Sequence, residues 1–174
     1  GRDALPHLFR VPLAERMQIL EFEMKSPHLH AELGYNLLTK FPHISGAPAL
    51  VRFHNVPWKY GDGNTFRGMP VPHLSQLIHL ADRVAVLFDR TKPVFPQVAG
   101  IHDTIESFSG LLFDPEYVAA FRKVSNREVF WLDLSFGSLD RVLRRMCHLP
   151  HVVVNLDELL AISKFFALVV DCRS

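Results

Sequence analysis

The chain has 174 residues, 48% of them apolar, and its charged groups nearly cancel to a net +1. That composition suffices for one domain with a real core, and it argues against a polymeric nucleic-acid partner, which needs a concentrated basic surface. No apolar run approaches the ~20 residues of a membrane span, no secretory leader opens the sequence, and Cys147 and Cys172 form no Cys-x-x-Cys pair, so a reducing cytoplasm is the expected setting.

Residues 1–11 read as irregular. Pro12 can start a helix, and Leu13, Met17, Leu20 and Met24 then fall on one side of it. Ser26-Pro27 breaks that helix and caps the next, expected over 28–40, with His30 on the face of Leu33 and Leu37. A short helix follows Ser45-Gly46 and closes at His54-Asn55, and His54 shares a face with Ala47, Leu50 and Val51. The glycine- and proline-containing stretch 56–71 has the length of a functional loop rather than a plain connector.

A long helix is expected over 72–89. Its apolar face is read as Leu74, Leu77, Ile78, Ala81, Val84, Ala85 and Phe88, with Asp82 at the edge. Helices are expected near 96–109, 115–124, 127–133 and 138–147, then an extended linker at 152–154 and a final helix over 157–170. The fold class expected is therefore all-α.

His30, His54 and Asp82 come from three successive helices, each leaning toward the core. Imidazole nitrogen with carboxylate oxygen suits iron, manganese or zinc better than calcium. The plain alternative is a polar cluster in which the three side chains bond one another.

Several motifs resemble the HD-GYP family of bacterial cyclic di-GMP phosphodiesterases, helical members of the HD metal-dependent phosphohydrolases. HAELG supplies His30 and Gly34, FHNVPW supplies His54 and Trp58, FRGMPVP supplies Gly68 and Pro72, LADRV supplies Asp82, and SGLLFDPEYVAAF supplies Gly110, Phe113, Asp114 and Pro115. The resemblance spans roughly 12–122. It implies an HD-type helical bundle over 1–150, a metal site drawing on His30, His54 and Asp82, and a divalent transition metal at partial occupancy. It also implies a substrate-phosphate contact near Lys92-Pro93, with Arg67 of similar standing. The partner implied is a cyclic dinucleotide or a neighbouring catalytic or signalling domain, and a homodimer is compatible with it.

The departures matter as much. Gly1-Arg2-Asp3 stands where the His-Asp dyad belongs, Asn55 and Val56 replace the second histidine and the glutamate, and Gly63-Asn64-Thr65 replaces Gly-Tyr-Pro. The chain thus resembles a degenerate or truncated member. The expected function is a phosphohydrolase-related signalling domain with weak or absent turnover; the alternative is a non-catalytic regulatory or dimerisation module. The segment 151–174 resembles the lead-in to a following domain, or else is an ordinary packing helix. His102-Asp103 is expected to face solvent, and His148 and His151 to lie in a surface loop.

Overall fold

A computed structural model describes residues 28–39, 44–136, 143–144, 155–160 and 162–163. In chain order the elements are α1 (His28–Leu38), α2 (Ala47–Phe53), a 3-10 segment (Lys59–Asn64), β1 (Thr65–Phe66), β2 (Met69–Pro70), α3 (His73–Leu87), α4 (Phe95–Ser107), α5 (Pro115–Ser125) and α6 (Glu128–Phe136). Residues 143–144, 156–160 and 162–163 are also helical. The expected helix over 12–25 and the linker at 152–154 lie outside the described residues, as do most of the helices expected over 138–147 and 157–170. The architecture is mostly helical, with one small hairpin that the all-α expectation did not include.

Local chemistry accounts for the boundaries. Asp114 caps α5 by accepting from the Glu116 amide at 2.8 Å, and Pro115 follows at the first helical position. Arg122 and Lys123 then complement the dipole at its last turn. The hairpin pairs Thr65 with Pro70 and Phe66 with Met69, and both turn residues have positive φ (Arg67 at 51°, Gly68 at 77°). Those angles give the twist that a two-residue antiparallel turn requires.

Helix α1 packs on α2, α2 on α3, and α3 on α4 and α5. Between α1 and α2, Arg52 bonds Glu32 at 2.8 Å and lays its guanidinium 4.6 Å from the Tyr35 ring centroid. The main core gathers Leu80, Val84, Leu87 and Phe88 with Ile101, Ile105, Leu112, Phe113, Val118 and Trp131. A smaller cluster of Phe53, Val56 and Val71 lies beneath the hairpin, with Phe66 and Met69 packed on it.

Helix α3 departs from its expected orientation. Val84 and Phe88 are buried as expected, but Leu74, Leu77, Ala81 and Ala85 are exposed. The buried face is instead Ser75, Gln76, His79, Leu80, Arg83, Val84 and Leu87. The cause is tertiary: the Gln76 amide donates to the Val56 carbonyl at 3.0 Å, and Leu80, Val84 and Leu87 join the main core. These contacts turn the helix away from its most apolar stripe.

Candidate functional site

The region around the first candidate ligands is formed by the C-terminus of α2, the turn at 54–57 and the inward face of α3. His54 caps α2, and its Nδ1 donates to the Val51 carbonyl at 2.5 Å. Asp82 projects a half-exposed carboxylate that accepts from Arg83 Nη2 at 2.7 Å, while the Arg83 side chain itself is only 8% exposed. His30 lies in α1, and its side chain is outside the described residues.

His79 connects this region, and the sequence reading passed over it. Its ring is buried and feels the charges of Arg83, Asp82 and His54 together. Burial, followed by the neighbouring Arg83 guanidinium, pushes its pKa down to about 4, against a smaller opposing pull from Asp82. The imidazole is therefore neutral at pH 7. His79 Nδ1, Gln76 Oε1 and Ser75 Oγ are buried and make no hydrogen bond among the described residues. Such groups cost on the order of 1–3 kcal/mol each when nothing meets them. The signal available in the sequence was a polar stripe at 76, 79 and 83, at helical spacing.

Among the described residues, no three His, Cys, Asp or Glu side chains come together as a metal-holding group. Asp82 is engaged by a guanidinium, and the buried imidazole facing it is His79, not a member of the expected trio. His30, the third member of the expected trio, has its side chain outside the described residues, so of the expected ligands only His54 and Asp82 are described.

Lys92 lies in the turn between α3 and α4, with Nζ 3.3 Å from Asp89 Oδ2. Asp89 is a buried hub that also accepts from the Thr91 amide and hydroxyl at 3.0 and 2.7 Å. Gln97 closes the turn by bonding both the amide and the carbonyl of Asp89. The lysine is thus half-exposed and held beside a carboxylate.

A second polar centre joins α3 to α5. His73 Nε2 donates to Asp114 Oδ2 at 2.6 Å, Tyr117 Oη lies 3.2 Å from His73 Nδ1, and the two rings stack at 4.7 Å. Asp114 is 3% exposed at its side chain and His73 52%. Burial, then Asp114 and Glu116, raises the Tyr117 pKa above its usual value, so its hydroxyl keeps its proton beside His73. Trp58 flanks this centre with its ring 6.2 Å from His73. Of this centre, the sequence singled out Trp58, Asp114 and Pro115, as positions of the family motifs.

His102 corrects another expectation, since it is buried rather than solvent-facing. Its Nε2 lies 2.7 Å from Ser125 Oγ, between the rings of Phe121 and Trp131. Among the described residues, no helix is long and apolar enough to cross a membrane. Comparison of the chain with protein-family models, curated proteins and solved structures finds no match.

Proposed function

We propose that this chain is a degenerate HD-type helical domain related to the HD-GYP phosphodiesterases. In this reading it serves bacterial cyclic di-GMP signalling in the cytoplasm as a regulatory module with little or no hydrolysis of its own. The order of motifs from His30 through His54, Gly68 and Asp82 to Asp114-Pro115 supports the relationship. The observation that carries the loss of turnover is the 2.7 Å contact between Arg83 and Asp82. Any cation held with His30 and His54 must compete with that guanidinium for the carboxylate. Asn55 adds to the deficit, because an amide oxygen ligates a transition metal poorly beside an imidazole.

Phosphodiester hydrolysis by clustered metals needs an activated water and charge stabilisation on the phosphoryl oxygens. The test is turnover of cyclic di-GMP by the full chain with added manganese or iron. The expected result is hydrolysis at background, unchanged by Asn55→His alone, because Gly1-Arg2-Asp3 still stands where the family's His-Asp dyad, whose carboxylate bridges the metals, belongs. Robust metal-dependent turnover by the unmodified chain sinks the proposal.

A further inference from the structure

A cleft of about 400 Å³ opens between α4, the C-terminal end of α5 and the start of α6. It shares no residue with the His54–Asp82 region, and nothing in the family resemblance assigns it a role. Its volume lies within the ~300–1,000 Å³ typical of small-molecule sites.

The floor is apolar in effect although it contains polar residues. Trp131 is buried, and its indole N–H is already committed to the Ser125 carbonyl at 2.6 Å. His102 and Ser125 satisfy each other at 2.7 Å. Burial, then Arg122, holds the His102 imidazole below its ordinary pKa, so the ring enters the cleft as a neutral aromatic surface. Phe95 stands at the mouth, 49% exposed, beside Val98.

The rim carries both signs of charge. Asp103 and Glu128 line the cleft and form no ion pair among the described residues. Arg122 lines it too, and its contact with Glu106, at 3.4 Å between two half-exposed side chains, is a surface pair of small worth. A guanidinium so placed can turn to a ligand carboxylate and hold it through two parallel hydrogen bonds. An apolar floor between one cation and two unpaired carboxylates complements a molecule with an ammonium, a carboxylate and an apolar body.

We propose that this cleft binds a free α-amino acid with an apolar side chain. The side chain rests against Phe95, Val98 and Trp131, Arg122 takes the carboxylate, and Asp103 with Glu128 takes the ammonium. The inference stands independently of the phosphohydrolase reading, and its failure leaves that reading untouched.

The test follows the indole N–H signals of Trp131 and Trp58 by nitrogen-15 NMR in the full chain. L-phenylalanine, N-acetyl-L-phenylalanine and L-phenylalaninamide are titrated in separate arms. L-phenylalanine should shift the Trp131 signal saturably and leave Trp58 in place. Each blocked compound should bind at least about tenfold more weakly, the loss expected for one charge-assisted hydrogen bond. Arg122→Gln should remove the preference for L-phenylalanine over its amide without unfolding the chain, because the side chain is half-exposed. No saturable shift at Trp131 overturns the proposal. So does an equal response at Trp58, which signals non-specific contact, and so does an amide that binds as well as the amino acid, which signals a site for simple organic cations.

Discussion

Asp114 and His73 meet at 2.6 Å although they stand 41 residues apart in the chain. The same buried carboxylate caps α5 through the Glu116 amide, so one side chain both starts one helix and fastens it to the first residue of another. Asp114→Ala therefore removes a cap, worth roughly 0.5–2 kcal/mol, together with a charge-assisted hydrogen bond of about 1.5–3 kcal/mol. Urea unfolding should show a loss of about 2–4 kcal/mol, and clearly less for His73→Ala, which leaves the cap intact. Equal losses for the two variants would show that the cap contributes nothing.

His79 should make the domain sensitive to acid. Its folded pKa of about 4 lies below the ordinary histidine value of 6.5, so between these limits the unfolded chain binds the proton more readily. Stability is then fully present above pH 6.5 and falls as pH drops toward 4, by on the order of 3 kcal/mol in total. His102, also lowered by burial, adds a change of the same sign. Urea midpoints measured from pH 7 to pH 4.5 should fall, and His79→Leu should flatten the curve. A wild-type midpoint independent of pH in this range would show that His79 is not held neutral.

Several features of this arrangement were legible in the sequence. The helix expected over 28–40 is found as His28–Leu38, and the one over 72–89 as His73–Leu87. Both rest on local signals: Ser26-Pro27 before α1, Pro72 before α3 and helical periodicity within each. Which face of α3 turns inward was not legible. Helical spacing offered two stripes, and the choice was made by the Val56 carbonyl, a group on another segment that accepts from Gln76. The burial of His102 was hidden for the same reason, since its partner Ser125 lies on α5. Of the candidate site, the separate positions of His54 and Asp82 were readable. The guanidinium on Asp82 and the buried imidazole of His79 were not, because polar residues on a helix are ordinarily read as its wet side.

Glycines in the 61–68 segment should respond very differently to alanine. A Cβ at Gly63 would collide with the Pro57 carbonyl oxygen, a backbone atom that cannot swing aside. At Gly68 no atom lies within contact distance, and the only obstacle is a φ of 77°. Gly68→Ala should cost about 1 kcal/mol through backbone strain. Gly63→Ala should cost several times that, or prevent the loop from closing, as read by thermal unfolding and by limited proteolysis near Tyr60. Comparable melting temperatures for the two variants would contradict the close approach at Gly63.

That loop also bears on how distant parts of the chain are held together. The amides of Trp58, Lys59 and Tyr60 donate in sequence to the carbonyls of Leu112, Leu111 and Gly110, at 3.1, 2.8 and 2.7 Å. Lys59 and Tyr60 adopt positive φ in doing so, a conformation that non-glycine residues take up only when their surroundings impose it. The imposing surroundings are three carbonyls that follow α4 in the chain, so the strap ties together two segments separated by the whole of α3 and α4. Its closure is a long-range contact, whose entropic cost the chain meets only by bringing both helices into the same packed unit.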